Sequence, residues 1–119
     1  MTEVTKSLTN RGTLRIVGIL RHGPARLGEI ERALNTIGAP RYTLRQDLER
    51  MARDGLVTKE IAHIGPPARI VYRLTDFGQD FADHAADLMA FIDRHQTDII
   101  AARQRAKEAE RAAAPLRAA

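Results

Sequence analysis

Residues 41–46 concentrate side chains that can form directed hydrogen bonds. They are Arg41, Tyr42, Thr43, Arg45 and Gln46, interrupted only by Leu44. An arginine guanidinium can form two hydrogen bonds with the edge of a guanine, and a glutamine amide can do the same with an adenine. Taken alone, the same residues could equally form a polar surface that contacts only water. Their interpretation therefore depends on the elements that hold them.

Further cations lie before and after this segment. Four of them are candidates for contacts with a phosphate backbone: Arg21, Arg26, Arg50 and Lys59. Such contacts position a protein on a duplex but do not read its sequence. Arg69 follows two prolines at the predicted tip of a hairpin, from which a guanidinium could enter a minor groove.

Charge is distributed unevenly along the chain. Residues 1–73 contain 13 Lys/Arg and 7 Asp/Glu, a net charge of +6. Residues 74–102 contain one Arg and six Asp, a net charge of −5, and residues 103–119 contain five Lys/Arg and two Glu, a net charge of +3. This pattern suggests one face for a polyanion and another turned away from it, although ordinary solvated charge would give the same totals.

Residue content argues against several other kinds of chemistry. The chain has no cysteine, which excludes disulfides, thiol redox sensing and zinc held by cysteine. Ser7 is the only serine, and there is no nucleophile–histidine–acid set or phosphate-binding loop. We therefore expect no enzymatic activity and no cofactor. No run of about 18 apolar residues is present, so we expect no membrane span and a cytoplasmic protein.

Hydrophobic spacing predicts three helices in the first half of the chain. The first covers about 11–22 and the second about 26–35, with apolar residues repeating every three or four positions. A third helix is predicted over 40–54. Pro40 suits its first turn, where a missing N–H costs nothing, and Gly55 suits its end.

A hairpin and a long helix are predicted next. Strands are expected over 56–61 and 70–74, since their β-branched and aromatic residues favour extended backbone, and Thr75 is the predicted N-cap of the long helix. This order is that of a winged helix-turn-helix, a mainly α fold with a small β-hairpin whose third helix enters the major groove of DNA. We predict four regions: an N-terminal arm (1–10), the winged helix-turn-helix domain (11–75), a dimerisation helix (76–106) and a frayed tail (107–119).

Between Leu14 and Gly78 the sequence resembles the HxlR family of bacterial winged-helix regulators. Gly23-Pro24-Ala25-Arg26-Leu27-Gly28-Glu29-Ile30 is similar to the family's Gly-Pro-x-Arg-Phe-x-Glu-Leu, and Pro66-Pro67-x-x-Ile70-Val71-Tyr72-x-Leu74-Thr75-x-x-Gly78 is similar to its wing. The resemblance implies a DNA-binding transcriptional regulator that forms a homodimer. Gly12 stands where the family commonly has Trp, and Ala39-Pro40 replaces an Ile-Ser pair. The sensing cysteine of some members is absent.

The long helix carries an apolar stripe that a small winged domain could not cover completely. Its members are Phe81, Ala85, Leu88, Ile92 and Ile99. An exposed stripe of this size indicates an interface. A homodimer would match a palindromic operator whose half-sites lie about 34 Å apart. The alternative is a helix folded back on its own domain.

Three alternatives concern partners other than DNA and a second copy. His84, His95 and Asp98 have a spacing that resembles the interfacial zinc site of some ArsR-type sensors, but Ala82 stands where a ligand is expected, so we predict no metal site. A winged-helix module that binds another protein is a second alternative, because a fold does not determine function. A small-molecule effector is left open, since no residues single out a cavity for it.

Overall fold

The first half of the chain folds as the predicted series of short helices. The computed structural model describes residues 2–63, 65 and 68–118. Six helices lie within these residues: α1 (Glu3–Leu8), α2 (Arg11–Leu20), α3 (Leu27–Thr36), α4 (Leu44–Arg53), α5 (Asp76–Arg94) and α6 (Gln96–Ala118). Three strands accompany them: β1 (Ala25–Arg26), β2 (Val57–His63) and β3 (Arg69–Leu74). The winged helix-turn-helix order expected from the sequence is confirmed.

The chain divides into two compact units at the middle of α5. Residues 1–86 contain α1 to α4, the three strands and the first turns of α5, whereas residues 87–119 contain the rest of α5 and α6. Within the part of the chain that the structure describes, no helix combines the length and apolarity needed to cross a membrane.

The core of the first unit is aliphatic and lies between the helices and the sheet. The spacing of its members turns one face of each helix inward. The buried apolar residues are Ile16, Val17, Leu20, Ile30, Leu34, Leu44, Leu48, Met51, Leu56, Val57, Ala82 and Ala85. On α4 the buried positions recur at intervals of three and four, which leaves the opposite face of that helix to solvent.

The sheet is antiparallel, with β3 in its centre and strand order β1-β3-β2. Tyr72 pairs with Lys59 of β2 on one side and with Ala25 of β1 on the other. The short strand β1 was not predicted, because two residues carry no readable alternation. Its pairing fixes Arg26, at the start of α3, beside the wing strands.

The corner between α4 and β2 holds the start of α5. Gly55 has φ +79°, the left-handed conformation that ends α4, and the N–H of Leu56 donates to the carbonyl of Met51 at 2.9 Å. Thr75 Oγ1 accepts from the N–H of Gly78 at 2.9 Å and donates to the carbonyl of Gly55 at 2.5 Å. The predicted stop at Gly55 and the predicted N-cap at Thr75 are both confirmed.

Several predicted boundaries were wrong. The third helix begins at Leu44 and not at Pro40, because Tyr42 and Thr43 are weaker helix formers than the residues that follow. A turn precedes it, in which the Leu44 N–H donates to the Arg41 carbonyl at 3.1 Å. The predicted N-terminal arm contains α1, and the first predicted helix ends at Leu20.

The C-terminal segments also differ from expectation. The predicted single helix over 76–106 is divided at His95 into α5 and α6, and the tail predicted to fray remains helical to Ala118. Alanine, arginine, glutamate and lysine dominate that tail, and all four favour helix even without a surface to pack on.

Two members of the predicted dimer stripe are covered by their own domain. Ala85 is buried in the core and Phe81 packs against it half-buried, because the first turns of α5 face the winged domain. The exposed part of the stripe begins at Leu88, which is 51% exposed, followed by Ile92 and Ile99 at 40% each.

Candidate nucleic-acid interface

Helix α4 presents its polar face to solvent, as the sequence predicts for a DNA-reading helix. Burial of Leu44, Leu48 and Met51 orients the helix. Arg45 and Gln46, in the first turn, are consequently exposed. Arg41, Tyr42 and Thr43 lie in the preceding turn and not on the helix, and Tyr42 is 87% exposed. The tip of this helix and the turn before it thus form one polar projection.

A cationic cleft lies between α4, the start of α3 and the wing strands. It has a volume of about 420 Å³, and Arg26, Arg45, Lys59 and Arg69 line it together with Leu27, Gly28, Ala68, Ile70 and Tyr72. No carboxylate is among these lining residues. Four cations predicted separately from the sequence are therefore brought to one surface, whose net positive charge suits a phosphate backbone.

Strand geometry explains why Lys59 faces this cleft. Successive side chains of a strand point to opposite faces of the sheet. Lys59 lines the cleft with Tyr72, its partner on β3. The next residues, Glu60 and Arg73, point the other way and bond each other, with Arg73 Nε donating to Glu60 Oε2 at 3.3 Å. The acidic residue of β2 is thus kept off the cationic face.

Arg26 is held by the first turn of α3. The Glu29 carboxylate accepts from the Arg26 backbone N–H at 3.0 Å and from its Nε at 3.2 Å. The backbone hydrogen bond, followed by the one from the side chain, lowers the pKa of the exposed Glu29 carboxyl. This arrangement orients the guanidinium toward the wing and partly offsets its charge.

A second basic surface lies at the start of α2 and was not predicted. A cavity of about 480 Å³ there is lined by Arg11, Arg15, Tyr42 and Gln46, among other residues. Arg11 and Arg15 are one helical turn apart and therefore share a face of α2. Their i, i+4 spacing was the signal available in the sequence. This surface continues the polar projection of α4 on the side away from the wing.

Arg50 was predicted to contact phosphate, but its guanidinium is bonded to other residues of the protein. Its Nη1 donates to Asp47 Oδ1 at 2.9 Å and its Nη2 donates to Thr13 Oγ1 at 2.8 Å. The same Asp47 carboxylate accepts from Thr43 Oγ1 at 3.0 Å. Only 27% of the Arg50 side chain and 11% of the Asp47 side chain are exposed. Arg50 therefore connects α4 to α2 within the protein.

Gly12 makes room for this connection. A Cβ at position 12 would lie 2.3 Å from Asp47 Oδ2, which is closer than any real contact. The Asp47 carboxylate can approach the start of α2 because position 12 has no side chain. The glycine at position 12 is thus matched to a local carboxylate.

Two groups of predicted residues remain, those considered for metal binding and those of the predicted hairpin tip. His84 Nδ1 lies 2.8 Å from the Asp80 carbonyl, and His95 Nδ1 lies 3.2 Å from Asp98 Oδ2. Among the described residues, no three His, Cys, Asp or Glu side chains form a group that could hold a metal ion. Of the predicted hairpin tip, Ile64 and the two prolines lie outside the described residues, whereas Arg69 begins β3 and is exposed.

Known proteins are similar to this chain in sequence and in fold. The chain matches the HxlR-like helix-turn-helix family over residues 7–99. It is 30% identical over 101 residues to the uncharacterised HTH-type transcriptional regulator YtfH of Escherichia coli, covering 85% of this chain and 78% of the relative. The structure of the candidate transcriptional regulator ytfH of Salmonella typhimurium is 27% identical, with a TM-score of 0.74. The match covers 86% of this chain and 88% of the ytfH chain. A candidate MarR-family regulator of Enterococcus faecalis is 27% identical, with a TM-score of 0.66. The match covers 82% of this chain and 86% of the regulator's chain.

Proposed function

Because the chain belongs to the HxlR-like helix-turn-helix family of transcriptional regulators, we propose that it binds a palindromic DNA operator as a homodimer. The resemblance noted over residues 14–78 is confirmed by the family match, and the chain is a transcriptional regulator of the winged helix-turn-helix type. The proposal adds the DNA-reading residues, the symmetry of the site and the means of dimerisation.

The cationic cleft is the observation that carries the proposal. It joins Arg45 of the helix to Lys59 and Arg69 of the wing on a surface without a lining carboxylate. With α4 in the major groove, Arg45 and Gln46 contact base edges, and Arg41, Tyr42 and Thr43 contact bases or backbone from the preceding turn. Lys59 and Arg26 contact phosphates, and Arg69 approaches the adjacent minor groove.

Arg50 has a different part in the proposal. Its hydrogen bonds to Asp47 and Thr13 hold α4 against α2. It therefore acts as a positioning residue for the reading helix. Arg11 and Arg15 replace it as candidates for phosphate contacts, because they line the basic surface beside Gln46.

The exposed apolar residues of the second unit support homodimerisation. Leu88, Ile92 and Ile99 remain 40–51% exposed. Burying these apolar side chains in an interface would remove them from water, which is favourable in free energy. A second copy with twofold symmetry is the simplest partner, since a twofold dimer presents two reading helices to two half-sites.

Selection of bound sites from a random duplex library tests the function. We expect enrichment of a palindrome whose half-site centres lie about one helical turn apart. Affinity for the enriched site should fall steeply as salt rises, because each neutralised phosphate releases counterions. A library that yields no enriched motif, with binding insensitive to salt, would contradict DNA recognition and favour a protein-binding module.

A further inference from the structure

The second unit carries a heptad pattern that extends well beyond the predicted dimer stripe. Its apolar or small residues, together with His95, recur at alternating intervals of four and three, which is the spacing of a two-stranded coiled coil. We call them the seam: Leu88, Ile92, His95, Ile99, Ala102, Ala106, Ala109 and Ala113. In heptad terms Ile92, Ile99, Ala106 and Ala113 are a positions, and the other four are d positions.

His95 lies in a turn between α5 and α6, and helical hydrogen bonds reach it from both sides. The His95 N–H is shared between the Phe91 carbonyl at 3.2 Å and the Ile92 carbonyl at 3.1 Å, and the Ile99 N–H donates to the His95 carbonyl at 3.1 Å. The bond to Ile92 joins residues three apart, so the helix is locally tighter at His95. The heptad spacing holds within each helix, and the charged residues considered next all lie in α6.

Charged residues beside the seam indicate which occupant fits. In a parallel, in-register pair, each g residue lies next to the e residue five positions later in the partner. Asp98 and Arg105 are g residues, and Arg103 and Glu110 are e residues. This geometry places Asp98 beside Arg103 of the second copy and Arg105 beside Glu110, so all four side chains meet opposite charge.

An antiparallel pair does not fit equally well. Antiparallel helices bring g residues next to g residues and e residues next to e residues. A register that joins Asp98 to Arg105 leaves Arg103 and Glu110 beside uncharged residues, and a register that joins Arg103 to Glu110 leaves the g residues unmatched. Charge complementarity thus selects the parallel arrangement.

We propose that residues 88–113 form a parallel, in-register coiled coil with a second copy of the chain. This inference rests on the proposed homodimer and adds its orientation and the participation of α6. Leu88, Ile92 and Ile99 contribute most of the buried area, and the alanines allow close approach of the helices farther along. The tail is therefore part of the dimer interface.

Disulfide trapping in the full chain tests the proposal, since the chain has no cysteine of its own. Ala109→Cys, at a d position, should give an interchain disulfide in most of the protein under mild oxidation. Arg111→Cys, at an f position on the outer face, is the matched control and should cross-link at least about 10-fold more slowly, because its thiols cannot reach each other.

A charge exchange provides an independent measurement. Arg105→Glu places like charges beside Glu110 and should raise the dimer dissociation constant roughly 5-fold, since two such pairs occur per dimer. Adding Glu110→Arg should restore the original value.

The outcomes separate this inference from the proposed function. A dimer in sedimentation whose Ala109→Cys variant cross-links no faster than Arg111→Cys overturns the parallel coil and leaves the regulator intact. A monomer at all concentrations overturns both the coil and the homodimer, while DNA recognition by a single reading helix is still judged by site selection.

Discussion

Arg45 is the side chain that most directly connects the geometry to base recognition. It is exposed in the first turn of α4 and lines the cationic cleft with Lys59. Arg45→Ala should weaken binding to the selected operator by about 1–3 kcal/mol and relax base preference at one position in each half-site. Fluorescence anisotropy with the operator and its single-base variants measures both effects.

The matched control is Arg73→Ala. Arg73 is also an exposed cation of the same domain, but it lies on the opposite face of the sheet and bonds Glu60. Its removal should change operator affinity little and base preference not at all. Equal losses for the two variants would indicate that overall charge, and not a base contact by Arg45, sets the affinity.

Asp47 is a charged residue whose role is structural. It is a buried carboxylate that accepts hydrogen bonds from Thr43 and Arg50. Asp47→Ala leaves the Arg50 guanidinium, whose Nε already lacks a partner among the described residues, without its carboxylate. We expect a loss of about 2 kcal/mol in the free energy of unfolding, as for other charged hydrogen bonds.

Urea denaturation measures this loss, and Glu49→Ala is the comparison. Glu49 is an exposed acid on the same helix, so its removal should change the unfolding free energy by no more than about 0.5 kcal/mol. Similar values for the two variants would mean that the Asp47–Arg50–Thr13 connection does not stabilise the fold.

At the scale of elements, the sequence predicted the features that depend on interactions between residues close together in the chain. The stop at Gly55 and the cap at Thr75 were predictable because a left-handed glycine and a capping hydroxyl act within a few residues. The burial of Leu44, Leu48 and Met51 followed from helical spacing, and it oriented Arg45 and Gln46 correctly. Their convergence with Lys59 and Arg69 could be expected only through the winged fold as a whole.

Other features depend on contacts distant in sequence and were missed. Strand β1 exists because it pairs with β3 more than 40 residues later. The inward orientation of Arg50 depends on Thr13 in another helix and on the space left by Gly12. Spacing along one helix carries no information about either partner, so the sequence predicted a solvent-facing arginine.

The junction of α5 with the α4–β2 corner supplies a prediction at this scale. A Cβ at position 78 would lie 2.0 Å from the Leu56 carbonyl oxygen, so Gly78→Ala forces the elements apart. We expect a loss of about 1–3 kcal/mol in unfolding free energy, as for other overpacked sites. Gly18, an exposed glycine inside α2, has no atom within 4 Å of its built Cβ.

Gly18→Ala is therefore the matched control, with the opposite sign. It should raise the unfolding free energy by about 0.5–1 kcal/mol, because glycine weakens a helix interior relative to alanine. Thermal denaturation of both variants measures the two changes in unfolding free energy. A neutral Gly78→Ala would show that α5 is not held tightly at this corner.

At the scale of the whole molecule, charge and apolar surface are separated along the chain. Residues 1–73 carry a net charge of +6 and the cationic cleft, whereas residues 87–119 carry a group of exposed apolar side chains at helical spacing, including Leu88, Ile92 and Ile99. Under the proposed function, DNA and a second copy therefore bind to different parts of the chain. The separation also means that each can be disabled without direct damage to the other.

Ile92→Asp is the variant that tests this independence. Ile92 is an a residue of the seam and 40% exposed, so an aspartate there places two carboxylates against each other in the dimer interface. Sedimentation should show a shift toward monomer. Operator affinity should fall because one reading helix replaces two, while the preferred base at each half-site position is unchanged.

Ile100→Asp is the control for added charge. Ile100 is 57% exposed on the same helix but occupies a b position outside the seam. A carboxylate there stays in water when the helices pair, so we expect a dimer with wild-type operator affinity. If Ile100→Asp dissociates the dimer and Ile92→Asp does not, the copies meet through another face of this helix, and the heptad positions assigned to the seam are wrong.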